Sequence, residues 1–183
     1  MIAKESPLNG MAHGNSSTIS ISELPGLPVF DLRVAPASSS HAAVTERLGL
    51  DLPGKPGSSS GSGNAHVLAL APDWWLIVGV RDVSEKLASL RSNEEYHYSV
   101  VDVSGQRTTI VLEGPMAGEV LGHVWEQDLR EKSFPIGSVS QGLMVKAPVI
   151  LWHVAANSYR IFVRSSFALH LWQALVDAAE EYV

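Results

Sequence analysis

At 183 residues the chain is long enough for one domain with a sizeable core, or for two small layers sharing one interface. Its 13 basic and 19 acidic side chains give a net charge of -6, which offers no footprint for a phosphate backbone and excludes nucleic acid as an expected ligand. With no cysteine, disulfides and thiolate chemistry are excluded, and with no apolar run near the roughly 18 residues that span a bilayer, a soluble, unexported, cytoplasmic protein with no membrane contact is expected.

In chain order, residues 1–16 are polar and without periodicity, and a mobile arm is expected there. "TISISEL" and "VFDLRV" alternate at period two and predict strands, and "SSSHAAVTERLGL" predicts a short helix capped by serine and ended by Gly49. "LPGKPGSSSGSGN", residues 52–64, combines Pro-Gly breakers with a Ser/Gly run and predicts a flexible surface loop. "HVLALAP" and "WWLIVGV" predict two strands joined at Pro72-Asp73, and Asp82 with Glu85 three positions on has the form of a capping box opening a helix that carries Lys86 and Arg91.

The second half begins with "VVDVSGQRTTIVLEGP", Val100 to Pro115. It is either the entrance to an active site or a plain β-turn-β unit. "SVVDV" and "RTTIVLE" predict strands, and Gly114-Pro115 predicts a helix through "MAGEVLGHV" with proline at its first position. "GLMVKAP" and "VILWHVA" follow, with Lys146 and Ala147 placed before the turn between them, and then "SYRIFVR" after a turn at Ala156-Asn157. "VILWHV" is apolar on both faces, as in a sheet interior. Ser165 or Ser166 is expected to cap a terminal helix whose Ala168, Leu171, Trp172, Leu175 and Ala179 fall on one stripe. Glu180 and Glu181 oppose the dipole of its last turn, so a frayed end, or a cation brought from elsewhere, is expected. The sum is an α+β fold, mostly antiparallel sheet with helices packed on it. It reads as a single domain over 17–183 in two related β-β-α-type halves, 17–95 and 96–183.

No catalytic, cofactor-binding or metal-ligating residue stands out. Gly105 and Gly114 lack the spacing of a phosphate cradle, and the seven histidines form no i, i+3 or i+4 pair. His153 and His170 each read as a packed or surface histidine rather than a general base, Ser104 as a turn residue, and Asp102 as a structural ion-pair partner of Arg107. The tryptophans carry more information. Trp74 and Trp75 are adjacent on a strand and must point to opposite faces. One enters the core; the other is a candidate interface anchor, since a 45% hydrophobic chain has apolar surface to spare for a partner.

Three segments together, "VVDVSGQRTTIVLEGPMAGEVL", "DLREKSFPIGSVSQGLMVKAPVILW" and "YRIFVRSSFALHLWQALVDAAEEY", resemble the gamma subunit of heterotetrameric sarcosine oxidase, and "LAPDWWLIVG" and "SPLNGM" fit the same family. The second half is similar, more distantly, to the aminomethyltransferase of the glycine cleavage system, which implies an aminomethyltransferase/folate-binding-like fold. That family carries an acidic residue on a strand where this chain has "LMVKAPVILWHV", without a carboxylate. The resemblance therefore implies a noncatalytic gamma subunit, partnered by alpha, beta and delta chains in a cytoplasmic complex. Such a complex demethylates sarcosine oxidatively to glycine, passing the one-carbon unit to tetrahydrofolate or releasing formaldehyde, and forms hydrogen peroxide. FAD, FMN, NAD and tetrahydrofolate would lie on the partner chains. A related complex acting on another N-methylated amino acid, or a free-standing folate-binding aminomethyltransferase-like protein, are the alternatives.

Overall fold

The computed structural model describes residues 6–183. They form two compact units, Leu27–Ser104 and a second built from residues 6–26 with Gly105–Val183. The division therefore does not fall at 95/96: the strand expected to open the second half belongs to the first unit, and "TISISEL" belongs to the second. The reason is pairing. Strand β7 (Tyr98–Asp102) hydrogen-bonds to β3 (Val29–Val34), whereas β2 (Ser20–Glu23) pairs with β8 (Arg107–Glu113).

The Leu27–Ser104 unit is a five-stranded antiparallel sheet in the order β4-β5-β6-β3-β7, where β4 is Ser59–Ser62, β5 Ala65–Ala71 and β6 Trp74–Val78. Strand period puts Phe30, Leu32, Val34, Trp75 and Ile77 on one face. Val44 and Leu48 of α1 (Ser39–Leu48) and Val83 and Leu87 of α2 (Val83–Ala88) complete that core. Helix α1 is capped as expected: Ser38 accepts from the His41 N–H at 3.1 Å, and Gly49, at φ 66°, donates to Thr45 O. A glycine suits that left-handed position because it has no Cβ to clash. Helix α2 departs from expectation, since Asp82 makes no side-chain cap and instead reaches Lys86 Nζ at 3.4 Å.

Residues 52–64 are not a free loop. Leu52 is buried in this unit's core, the Pro53 carbonyl accepts from Trp75 Nε1–H at 2.9 Å, and Ser59–Ser62 form β4 against β5. The pairing and the buried leucine outweigh the unfavourable Ser/Gly composition.

The other unit is a six-stranded antiparallel sheet in the order β1-β2-β8-β11-β10-β9, with β1 Ala12–Gly14, β9 Val139–Met144, β10 Ala147–Ala155 and β11 Ser158–Arg164. Ile110, Leu112, Val149, Leu151, Ile161 and Val163 share a core with α3 (Ala117–Val124) and α4 (Ala168–Ala179). The α4 stripe is as expected: Ala168, Leu171, Trp172, Leu175 and Ala179 are all buried. Burying its large side chains contributes about 1.5–3 kcal/mol each. No serine side chain caps α4; a 3-10 turn over Ser165–Phe167 leads into it, and a second, Glu180–Tyr182, follows it in place of a frayed end. Pro115 precedes α3 without entering it, since Met116 is the N-cap.

The expected arm at 1–16 is overturned for its described part, residues 6–16; residues 1–5 lie outside the described residues. Leu8 is 1% exposed, β1 pairs with β2, and the buried Glu23 carboxylate accepts from the Ser6 hydroxyl and from the Gly10 N–H at 2.7 Å. Among the described residues no helix is long and apolar enough to cross a membrane.

Candidate functional site

The tandem tryptophans divide as period two requires, and their neighbours decide which faces where. Trp75 is 1% exposed, packs among the core residues beneath α1 and α2, and lies 5.7 Å from the His41 ring. Trp74 is half-buried on the opposite face. Its Nε1–H donates to Asp31 Oδ2 at 2.8 Å, and the Arg33 guanidinium sits 4.1 Å from its ring centroid. Arg33 is held in turn by Asp31 at 3.9 Å and Asp73 at 3.7 Å. A cation over an indole face is attracted by the ring quadrupole, so the guanidinium and the two carboxylates fix the ring without covering it completely. Asp31 and Arg33 are two apart on β3 and so share a face; Arg33 stands opposite both Trp74 on β6 and Ser99 on β7, and Asp31 opposite Val101. Val101 is 52% exposed. The result is a pre-ordered patch of Trp74, Arg33, Asp31, Ser99 and Val101 on one sheet face. Sequence reading named the tryptophan pair but missed Asp31 and Arg33, whose i, i+2 spacing in "VFDLRV" was the available signal.

The stretch from Val100 to Pro115 runs from β7 through a turn at Ser104-Gly105 into β8, two strands that belong to different sheets. Asp102 Oδ1 accepts from the Ser104 N–H at 2.9 Å and the Ser104 hydroxyl at 2.6 Å, while Ser104 Oγ accepts from the Val29 N–H at 2.9 Å. Both lone-pair and proton of that hydroxyl are committed to backbone and turn, the role expected of Ser104.

In the penultimate hairpin the turn lies at Val145-Lys146, not after Ala147, which is already buried in β10. Both turn residues have positive φ, 44° and 70°, an uncommon conformation for a β-branched side chain. His170 Nε2–H donates to Val145 O at 2.9 Å and steadies the turn. A groove of about 550 Å³ runs beside it, lined by His123, Trp125, Glu126, Leu143, Val145 and Lys146 among others.

His153 is the packed kind of the two roles open to it: it is 6% exposed, its Nδ1–H donates to Phe134 O at 2.8 Å, and its ring stacks on Tyr159 at 4.6 Å. Burial pushes the Tyr159 phenol above its ordinary pKa. Asp128 is a surface clamp, accepting from Arg130 Nε at 2.8 Å and Ser133 Oγ at 2.8 Å; hydrogen bonds from Arg130 hold its carboxyl well below the usual carboxylate range. Among the described residues no group of three His, Asp or Glu is placed to hold a metal ion.

The match to known proteins is decisive at the level of family. Residues 33–181 fit the model of the sarcosine oxidase, gamma subunit family. The chain belongs to that family. It is 34% identical over 155 residues to the sarcosine oxidase subunit gamma of Corynebacterium sp. (strain U-96), covering 82% of this chain and 74% of the relative. It is 32% identical over 178 residues to that of Corynebacterium sp. (strain P-1), covering 94% and 86%. Among solved structures it is similar to a chain of the heterotetrameric sarcosine oxidase from Corynebacterium sp. U-96 in complex with pyrrole 2-carboxylate, at a TM-score of 0.86 and 28% identity over 96% of this chain and 94% of that one. Glycine cleavage system aminomethyltransferase T from Bartonella henselae shares the fold, at a TM-score of 0.66 and 11% identity over 93% of this chain and 56% of that one. The α+β antiparallel class and the family resemblance read from the sequence both hold.

Proposed function

We propose that this gamma subunit is noncatalytic and serves to hold together a heterotetrameric, cytoplasmic sarcosine-oxidase-type complex. Its partners are alpha, beta and delta chains that carry FAD, FMN, NAD and tetrahydrofolate. The observation that carries the noncatalytic reading is the penultimate hairpin. The segment "LMVKAPVILWHV" has no carboxylate, and its turn presents Val145 and Lys146. A group that accepts a proton from, or stabilises a cation in, a folate-linked transfer must be basic or negative at the reacting atoms. Lys146 is a cation, so the hairpin does not fit tetrahydrofolate chemistry and no step is assigned to folate on this chain.

Trp74 supports the assembly role. Tryptophan and arginine are the residue types that dominate interface energetics, and anchors already fixed in place lose little entropy on binding. The test is reconstitution. Co-expressed with alpha, beta and delta chains, the chain is expected to purify with them and to be required for a stable complex. Alone, it is expected to turn over no N-methylated amine and to bind no tetrahydrofolate by calorimetry. Micromolar folate binding by the isolated chain would establish the free-standing aminomethyltransferase-like alternative instead. The amine oxidised by the purified complex distinguishes sarcosine from another N-methyl amino acid.

A further inference from the structure

We propose that strand β7 is a docking edge, to which a partner chain of the complex adds an extended segment as a sixth strand, with an acidic side chain of that segment received by Arg91. The inference rests on the subunit role proposed above and names the contact through which it is exercised.

Strand β7 is the last strand of its sheet, and among the described residues no strand pairs with its outer side. Which main-chain groups face outward follows from the register. Val103 N–H donates to Val29 O at 2.9 Å, and Arg33 pairs with Ser99, Leu32 with Val100 and Asp31 with Val101. Antiparallel ladders alternate hydrogen-bonded and non-hydrogen-bonded pairs. Ser99 and Val101 therefore turn their N–H and C=O groups toward β3, and Tyr98 and Val100 turn theirs to the open edge. An unpaired edge is a template for another chain, and proteins ordinarily blunt one with lysine, proline or a bulge. In "YSVVD" none of these devices is present.

Both sides of this edge are furnished for side chains. A pocket of about 310 Å³ lined by Arg91, Tyr96, Tyr98, Ser99 and Val100 runs along the strand. The Tyr98 ring is fixed by its hydroxyl, which donates to Leu87 O at 2.7 Å. On the exposed sheet face stand Val101 and, two rows in, Trp74. An added strand sends alternate side chains to the two faces, main-chain bonds giving affinity and pockets giving specificity. Arg91 is the one charged group lining the pocket, and a guanidinium pairs best with a carboxylate. That complementarity selects a segment with aspartate or glutamate at the pocket position over a second copy of this strand, whose only acid, Asp102, lies at its end.

The experiment uses the full chain and its co-expressed alpha, beta and delta chains. Val100→Pro deletes an outward N–H and leaves the β3 ladder whole, a placement proline tolerates at an edge. Its circular dichroism and melting temperature should match the parent, while its affinity for the partner chains falls by about tenfold, the value of one main-chain hydrogen bond lost. Arg91→Glu should weaken assembly by at least that factor, with fold unchanged. Independently of any variant, amide hydrogen exchange across residues 98–102 of the parent chain should slow on assembly. Parent-like affinity of a folded Val100→Pro chain, or unchanged exchange across β7 in the assembled complex, overturns the proposal while leaving the subunit role standing. A homodimer of the isolated chain that Val100→Pro abolishes overturns it in favour of self-pairing. Failure of the parent chain to join the complex at all overturns the subunit role, and this contact with it.

Discussion

Strands β4 and β7 close the same five-stranded sheet on opposite sides, and they are made of opposite materials. Strand β4 is Ser-Ser-Gly-Ser; Ser60 Oγ donates to Asp51 O at 2.5 Å, and its ladder with β5 is prolonged by Ala69 N–H to Ser58 O at 2.9 Å and Gly57 N–H to Ala69 O at 2.8 Å. Strand β7 is Tyr-Ser-Val-Val-Asp, with Val101 half exposed and Val100 turned to the edge. A Ser/Gly strand offers an added chain little apolar surface to bury, whereas an open strand carrying valines offers more. Under the docking proposal, the difference places association on the β7 side of the unit and only stability on the β4 side.

Four substitutions bear on that division. The largest effect is expected at the strand both sides lean on: Trp75→Ala should cost about 3–5 kcal/mol by leaving a cavity in the core, read by chemical denaturation. Gly61→Ala tests the closed side. Gly61 has φ 120°, and a Cβ there would lie 2.2 Å from Ala65 O, so a loss of about 1–3 kcal/mol is expected, with assembly of the remaining folded chain unchanged. If instead Gly61→Ala left the melting curve alone and impaired assembly, the contrast between the two edges would be wrong. Trp74→Ala tests the open side. It should remove about 1 kcal/mol of stability, the size of an exposed cation–π contact, but weaken assembly by about tenfold or more, as truncating an interface anchor does. Equal effects of Trp74→Ala and Trp75→Ala on both quantities would rule out an interface role for Trp74.

The smallest effect belongs to a residue of the other unit and serves as a control. Because the Asp128 carboxyl is held below its ordinary range, its contribution is present above about pH 4 and is lost as pH falls through the depressed folded value. Asp128→Asn should therefore melt slightly lower than the parent at neutral pH. The gap should narrow in acid, and assembly should be indifferent to the change.

Much of the fold was legible because period alone carries it. Strand β3 matches its alternating run, and the α4 stripe matches its 3.6-residue repeat, since burial on one face leaves a local trace. Elements defined by a distant partner left no such trace. Nothing in "SSGS" announces a strand until β5 lies beside it, and nothing in residues 6–16 announces order until the Glu23 carboxylate and the pocket for Leu8 are in place. The Val145-Lys146 turn lacks the glycine or asparagine that normally marks positive φ, so the hairpin was misplaced by a residue or two. At the candidate site, period two separated Trp74 from Trp75, but only the cross-strand rows show that Asp31 and Arg33 hold the outer ring.

The pairing of β2 with β8 also sets a timetable. Ser20–Glu23 meet their partner only when Arg107–Glu113 have been made, so every residue of Leu27–Ser104 leaves the ribosome inside that interval. The inner unit has all its strands to hand and can condense first, while the outer sheet waits for the chain to return. A pause or truncation during synthesis would thus spare the segment bearing Trp74 and β7, and leave Ser20–Glu23 without a strand to pair with.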